Sequence, residues 1–173
     1  MKKALLIASV LFIAVISTAC INNIAVQELN NKANEYMQKG DYESAVNRLQ
    51  ASIDLDSTMF ETYYNLGIAA TSAKKYDVAI EAFENGIKLN PNYADFYYSL
   101  AVAQSEYADQ IIELNEKDSQ QEVLVKDLKQ SAIDNAKKYL EIKQNAEDKE
   151  EVESFINDLN KMEEPEKTPL LEG

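Results

Sequence analysis

Few side chains in this 173-residue sequence are of the kinds that enzymes use for catalysis or metal binding. There is no His, so the sequence can build neither a His-containing catalytic triad nor a zinc site of the usual kind. Asp54 and Asp56 lack the further oxygen ligands and the Gly of a calcium loop, which indicates a helix end. Ser72 and Lys75 have the Ser-x-x-Lys spacing but lie at a turn, and no nucleophile elbow is present. We therefore expect no enzymatic activity, no metal and no cofactor.

The single Cys of the chain, Cys20, lies where a covalent modification is expected. Lys2 and Lys3 precede an apolar run over residues 4–16, and small residues then lead directly to Cys20. This run is too short for a spanning helix, which needs about 20 residues, and the pattern is typical of a secretory signal. Two alternatives stay open: a cleaved signal that leaves a free thiol, and an uncleaved anchor that continues through Ile21.

The segment Ser17-Thr18-Ala19-Cys20 resembles the lipoprotein box of bacterial signal peptides, although that family most often has Leu where this chain has Ser17. The resemblance implies cleavage before Cys20, a diacylglyceryl group on its sulfur and an acyl chain on its new amine. Several acyl chains, at about 0.8 kcal/mol per buried CH₂, anchor a protein durably in a bilayer. Because Ile21 rather than Asp follows, the enteric type of sorting implies the outer membrane, facing the periplasm. We expect a signal peptide over 1–19 and a lipidated linker over 20–25.

The chain is strongly acidic, with 30 acidic against 17 basic side chains and a net charge of −13. Nucleic acid and anionic lipid surfaces repel such a protein, so neither is an expected partner. Gly and Pro number only 4 and 3, which argues against an all-β fold with its many turns. The hydrophobic fraction of 46% is enough for a core, so the composition favours an all-helical binding protein.

The body of the chain repeats with a period of 34 residues. Residues of the same type recur at this offset in the two blocks that begin near Gly40 and Lys75: Tyr42 with Tyr76, Ala45 with Ala79, Leu49 with Phe83, Ile53 with Ile87, and Leu55 with Leu89. Within each block the apolar residues recur at steps of three and four, which predicts helices with one buried face. Asn90-Pro91 then marks a helix boundary.

These blocks resemble the tetratricopeptide repeat, and the match rests on Tyr63, Leu66, Gly67, Tyr76, Ala79, Phe83 and Pro91. The first block is a looser match, with Lys32 and Ser57 where the family has Leu and Pro. The resemblance covers roughly 26–144. It implies an all-helical solenoid of about three helical hairpins, with repeats at 26–59, 60–93 and 94–144.

The third repeat contains nineteen extra residues, near 107–131. Apolar stripes at helical spacing, Tyr107, Ile111 and Leu114 and then Leu124, Leu128 and Ala132, predict two lengthened helices with a turn at 115–120. Each helix would be about 14 Å longer at 1.5 Å per residue, so the hairpin should project beyond the other repeats. We expect a capping helix over 147–162, with a polar outer side, and a flexible tail over 163–173.

The resemblance also implies a binding groove on the concave face, formed by repeat positions 2, 5, 9 and 12 of the first helix of each repeat. The candidate groove residues are Asn30, Asn34, Met37, Tyr64, Ile68, Thr71, Tyr98, Val102 and Ser105, and positions 27, 61 and 95 complete the set. Members that bind a C-terminal carboxylate use Lys, Arg and Asn there, and none of the twelve is Lys or Arg. We therefore expect an apolar peptide or helix of a partner protein as the ligand.

An alternative for the groove is that Tyr64 and Ile68 are covered by the N-terminal segment or by the long hairpin. If the groove is open, a Tyr64→Ala/Tyr98→Ala variant should lose its partner with thermal stability almost unchanged. The sequence as a whole predicts a membrane-anchored adaptor or assembly factor of the bacterial cell envelope. The alternative function is a structural, self-associating envelope protein whose hairpin mediates homo-oligomerisation.

Overall fold

The computed structural model describes residues 23–114 and 119–163, with side chains through residue 161. The predicted signal peptide, Cys20, most of the predicted turn and nearly all of the predicted tail lie outside these residues. The described part consists of helices joined by short turns and contains no strand. Helix α1 covers 23–38, and the others are α2 (Tyr42–Leu55), α3 (Phe60–Ser72), α4 (Tyr76–Leu89), α5 (Asp95–Glu113), α6 (Ser119–Ile142) and α7 (Lys149–Glu163).

The turn between the two helices of a repeat is built in the same way in the first and second repeats. Gly40 after α1 has φ +74° and Lys74 after α3 has φ +56°, so each turn contains one residue in the left-handed conformation. In the first repeat Asp41 then caps α2, because its carboxylate accepts a hydrogen bond from the Ser44 amide at 3.1 Å. These tight turns make consecutive helices antiparallel.

The helices stack in chain order, each packing mainly against its sequence neighbours. Helices α1, α3, α5 and α7 therefore run in one direction and α2, α4 and α6 in the other. Two apolar cores hold the stack together. The first joins α1 to α5 around Leu49, Leu66, Phe83, Phe96 and Leu100. The second joins α5, α6 and α7 around Ala101, Ile133, Tyr139, Val152 and Leu159.

The close approach between helices depends on small residues at two points. A Cβ atom on Gly67 would lie 2.3–2.5 Å from the Phe83 ring, and one on Gly86 would lie 2.1–2.2 Å from the nearest atoms of the Phe96 ring. Since both rings are fully buried, no side chain larger than hydrogen fits at either position without displacing core residues. Gly67 is one of the residues on which the resemblance to the tetratricopeptide repeat rests.

The elongated third repeat is confirmed. Helices α5 and α6 have 19 and 24 residues, against 13 and 14 for α3 and α4. At 1.5 Å per residue they are longer by about 9 Å and 15 Å. The two predicted apolar stripes are buried only near the base of the hairpin, at Leu128 and Ala132, whereas Leu114 and Leu124 are exposed.

The predicted capping helix is α7. Val152, Ile156 and Leu159 are buried against α5 and α6, and the acidic residues between them are exposed. One apolar face and one polar face are what the last helix of a solenoid requires. An all-helical solenoid of about three hairpins, the third elongated and followed by a cap, is thus the observed architecture.

Candidate functional site: the concave face

The predicted groove residues lie on α1, α3 and α5, the parallel helices that contribute the first half of each repeat. One of the nine, Asn34, is exposed, and Ser105 is buried at 8% exposure. The other seven are partly buried: Asn30, Met37, Tyr64, Ile68, Thr71, Tyr98 and Val102. Their contacts divide them into residues that hold the repeats together and residues that leave surface for a ligand.

Asn30 belongs to a polar contact between the first two repeats. Its Nδ2 donates hydrogen bonds to Ser52 Oγ at 3.0 Å and to Thr62 Oγ1 at 3.3 Å, and it also donates to the carbonyl oxygen of Val26 at 3.1 Å. Ser52 and Thr62 are buried, at 0% and 1% exposure. Since a buried hydroxyl requires a partner, Asn30 joins α1 to α2 and α3. Its Oδ1 is buried without a hydrogen-bond partner among the described residues.

Tyr64 belongs to an aromatic cluster at the junction of the second and third repeats. Its ring centroid lies 5.4 Å from that of Phe96, 5.5 Å from that of Tyr93 and 6.1 Å from that of Phe83. Ser99 Oγ also donates a weak hydrogen bond to its hydroxyl at 3.5 Å. Truncating Tyr64 to Ala would leave a cavity among these rings. Our expectation that this substitution leaves stability almost unchanged is therefore not compatible with its packing.

Tyr98 makes the corresponding contact at the junction with the capping helix. Its ring lies 5.3 Å from that of Tyr139 and 6.0 Å from that of Phe155 on α7. Burial raises the pKa of Tyr98, and the nearby carboxylates of Glu151 and Asp148 raise the pKa further. The carboxylate of Asp148 also accepts a hydrogen bond from the Tyr139 hydroxyl at 2.8 Å. Tyr98 therefore lies beside a hydrogen bond that joins α6 to the segment before α7.

The surface that remains for a ligand is mainly aliphatic. Val102 is partly exposed and packs against neither core, whereas Met37 and Ile68 rest on the first core with part of their surface open. Asn34 is exposed beside Met37, one helical turn away. The Thr71 hydroxyl donates to the carbonyl oxygen of Gly67 at 2.9 Å and is thus used within its own helix.

Acidic side chains border this surface. Position 2 of the repeat is Glu61 in α3 and Asp95 in α5, and Glu151 at the start of α7 lies close enough to Tyr98 to raise its pKa. Asp95 forms an ion pair with Lys143 at 3.5 Å, on a half-exposed surface. A groove of this kind favours apolar ligands and disfavours anionic ones.

One surface feature was not predicted as a site. The third repeat forms a cavity of about 430 Å³ against the turn between α3 and α4, lined in part by Tyr76, Glu106, Asp109 and Glu113. The spacing of three and four between the acidic residues was visible in the sequence. Their position beside Tyr76 was not, because it depends on how far α5 extends past its neighbours.

The described residues contain no cluster of acidic or cysteine side chains that could hold a metal ion. In the same part of the chain, no helix combines the length and the apolar character needed to cross a bilayer.

Comparison with known families identifies the repeats. Residues 33–71 match the family model described as TPR repeat, and residues 60–93 match the one described as Tetratricopeptide repeat. These matches extend from α1 to the turn after α4. Residues 33–93 therefore match tetratricopeptide repeats, in agreement with the resemblance of the sequence.

Two curated relatives are similar over part of the chain. The Tetratricopeptide repeat and J domain-containing co-chaperone DNJ1 of Cryptococcus neoformans is 26% identical over 58% of this chain and 20% of its own length. The Small glutamine-rich tetratricopeptide repeat-containing protein 2 of Saccharomyces cerevisiae is 32% identical over 44% of this chain and 22% of its own length. This chain thus spans about a fifth of the length of each relative.

Solved structures share the fold. The first TPR of Spaghetti (RPAP3), bound to the HSP90 peptide SRMEEVD, is 18% identical with a TM-score of 0.61, over 79% of this chain and 91% of that one. The MamA protein is 25% identical with a TM-score of 0.63, over 83% and 67%. The Yersinia enterocolitica type III secretion chaperone SycD, in complex with a peptide of the translocator YopD, is 19% identical with a TM-score of 0.57, over 79% and 89%.

Proposed function

We propose that this chain is a non-enzymatic adaptor or assembly factor that binds an apolar peptide or helix of a partner protein on its concave face. The observation that carries the proposal is the aliphatic surface of Met37, Ile68 and Val102, of which Val102 contributes to neither core. Apolar side chains that the fold leaves partly exposed support binding of an apolar ligand. Solved structures of the same fold hold peptides of HSP90 and of a translocator, which supports a peptide as the ligand.

The chemistry of the groove distinguishes its ligand from the HSP90 peptide. That peptide, SRMEEVD, carries three acidic residues. The twelve groove positions of this chain include Glu61 and Asp95 but no Lys or Arg, so an acidic C-terminal peptide would find no cation there. The proposed ligand is therefore apolar and either uncharged or basic.

We further propose that the chain is a lipoprotein of the bacterial cell envelope, anchored in the outer membrane through an acylated Cys20 and facing the periplasm. The support is the sequence alone: Lys2 and Lys3, the apolar run and the small residues before Cys20. Cys20 precedes the first residue of the described part of α1 by only three positions. An anchor at that position would hold the repeats close to the bilayer.

The test of the groove is a comparison of partners captured from detergent-solubilised envelopes. The test variant is Asn34→Ala/Val102→Gln, which changes two residues of the concave face that belong to neither core. The matched control is Asn47→Ala/Leu55→Gln on α2, where both residues are exposed. A partner that binds the wild-type chain and the control but is lost from the test variant supports the proposal. A partner retained by all three excludes the concave face as its binding site.

Hairpin-mediated self-association remains the second candidate function, because apolar side chains are exposed at the end of the α5–α6 hairpin. Sedimentation velocity over a range of concentrations decides this point. A mass that stays monomeric at concentrations far above those in the envelope would exclude it.

A further inference from the structure

The end of the α5–α6 hairpin, residues 108–114 and 119–124, lies beyond the other repeats. Tyr107 on α5 stacks on Tyr76 at the first residue of α4, with ring centroids 5.8 Å apart and planes 27° apart. This contact fixes the level at which α5 passes the turn between α3 and α4. Residues after Tyr107 therefore extend past that turn, and we call them, with residues 119–124 of α6, the hairpin end.

The hairpin end carries most of the exposed aliphatic surface of the described chain. Seven large hydrophobic side chains are exposed among the described residues, and four belong to the hairpin end: Ile112 (52%), Leu114 (66%), Val123 (60%) and Leu124 (40%). The other three, Ile24, Leu55 and Leu89, lie singly at the ends of other helices. Single exposed hydrophobic residues are normal, whereas four of them within one short stretch of a hairpin, two at the end of α5 and two on α6, indicate an interaction surface.

An acidic cavity adjoins this apolar group. The cavity of about 430 Å³ lies between the hairpin end and the α3–α4 turn, and Leu114 is part of both the cavity and the apolar group. Glu106, Asp109 and Glu113 line it from α5, opposed by the single cation Lys74. Burial raises the pKa of Tyr76 in the cavity wall, and the negative charge of Glu106 adds to this effect. The surface beside the apolar group is therefore net negative.

We propose that the hairpin end is a second docking surface and that it binds a basic amphipathic segment of a partner protein. Apolar residues of that segment cover Ile112, Leu114, Val123 and Leu124. Its Lys or Arg side chains face the carboxylates of the adjoining cavity. The exposed apolar group establishes the surface, and charge complementarity selects the occupant. None of the nine predicted groove residues lines this cavity, and the proposal does not depend on what the concave face binds.

The charges oppose a second copy of this chain as the occupant. A second copy brings the same acidic residues and a net charge of −13. An anionic membrane surface is disfavoured by the same carboxylates.

The experiment measures binding of two labelled helical peptides to the full chain in non-ionic detergent, by fluorescence anisotropy. The basic peptide has about 20 residues, with Leu along one face and Lys on the other, and the acidic peptide has Glu in place of Lys. The apolar variant is Leu114→Gln/Leu124→Gln, and its control is Leu55→Gln/Leu89→Gln, with residues of 43% and 45% exposure.

The charge variant tests the cavity in the same assay. It is Glu106→Gln/Asp109→Asn/Glu113→Gln, and its control removes the same number of charges from one exposed face of α4. That control is Asp77→Asn/Glu81→Gln/Glu84→Gln. Circular dichroism verifies that every variant is folded, which we expect because the substituted side chains are mainly at the surface.

The proposal predicts that the basic peptide binds the wild-type chain and that the acidic peptide does not. Kd should rise about tenfold in the apolar variant and about tenfold in the charge variant, with less than a twofold change in either control. Added salt should weaken binding to the wild-type chain more than to the charge variant. Equal losses in test and control variants, or equal binding of both peptides, would show non-specific attraction and overturn the proposal. Concentration-dependent dimers that disappear only in the apolar variant would assign the surface to a second copy instead.

Discussion

Gly86 lies where the packing between the second and third repeats leaves no space for a methyl group. A Cβ atom there would lie 2.1 Å from Cζ of Phe96, whereas carbon atoms in ordinary contact are about 3.5–4.0 Å apart. The Phe96 ring is fully buried and lies 5.4 Å from the rings of both Tyr64 and Tyr93. Because these rings surround it, Phe96 has no open space to move into. We therefore predict that Gly86→Ala destabilises the protein.

Two opposing effects set the magnitude. Replacing Gly by Ala inside a helix stabilises it by about 1 kcal/mol when space is available. Forcing a methyl group into a packed core costs about 1–3 kcal/mol or more, and an overlap of over 1 Å with a confined ring places Gly86→Ala at or above the upper end. We expect a net loss of about 2–3 kcal/mol. At roughly 2–4 °C per kcal/mol, Tm should fall by about 5–10 °C.

Urea denaturation followed by far-ultraviolet circular dichroism measures this loss. Gly40→Ala is the control, since Gly40 has φ +74° and no heavy atom within 4 Å of an added Cβ, so only its backbone conformation opposes the change. That cost is about 1–2 kcal/mol. A Gly86→Ala/Phe96→Leu variant should lose less stability than the sum of its two single changes, because the shorter side chain relieves the overlap. A Gly86→Ala protein as stable as the wild type would refute the reasoning.

Three further predictions concern the candidate sites and the anchor. Asn30→Ala should lower the free energy of unfolding by about 1–2 kcal/mol in urea titrations, because two buried hydroxyls lose a partner, whereas Asn34→Ala should change it by less than about 0.5 kcal/mol. The pKa values of four tyrosines, Tyr76, Tyr93, Tyr98 and Tyr139, are raised in the folded chain. Because the fold favours their neutral side chains, their contribution to the free energy of unfolding should be fully present below the ordinary tyrosine pKa of about 10 and should be lost as the pH rises through the raised values. The phenolate absorbance of these tyrosines should therefore rise together with unfolding. Cys20→Ser should abolish both metabolic labelling by a palmitate analogue and fractionation with membranes, and retention of the label would exclude this acylation site.

The sequence predicted the solenoid well because its main signal is local. Apolar residues recur every three or four positions along the buried face of each helix, and the same repeat positions are apolar again 34 residues later. Those two periods are enough to identify helices α2 to α4. The length of the insertion likewise predicted a projecting hairpin, since extra residues with helical periodicity have no other place in a stack of short turns.

The candidate site was harder to predict because it depends on contacts between repeats. Asn30 has the spacing of a groove residue, yet its side-chain amide donates hydrogen bonds to Ser52 and Thr62, which are 22 and 32 residues away. Leu114 and Leu124 have the spacing of core residues, yet no neighbouring helix reaches far enough to cover them. Periodicity assigns a residue to a helix face, but only the relative lengths of neighbouring helices decide whether that face is covered.

The direction of the helices gives the proposed anchor a consequence for the hairpin end. Helices α1 and α5 run in the same direction, so the start of α1 and the end of α5 lie at opposite ends of the stack. Helix α5 alone is about 28 Å long at 1.5 Å per residue. If acylated Cys20 holds the start of α1 at the bilayer, the hairpin end points away from it, towards partners in the aqueous phase.

Dyes placed at two exposed aliphatic residues, one at the start of α1 and one at the hairpin end, can test this orientation. The variants Ile24→Cys and Val123→Cys place a dye at side chains of 66% and 60% exposure, and acylation leaves no other thiol to react. In vesicles that contain a quencher at the lipid surface, the dye at residue 24 should be quenched strongly and the dye at residue 123 weakly. Equal quenching would mean that the stack lies flat on the membrane. The hairpin end would then meet lipid rather than a basic partner, so the same measurement also bears on whether the second docking surface is accessible.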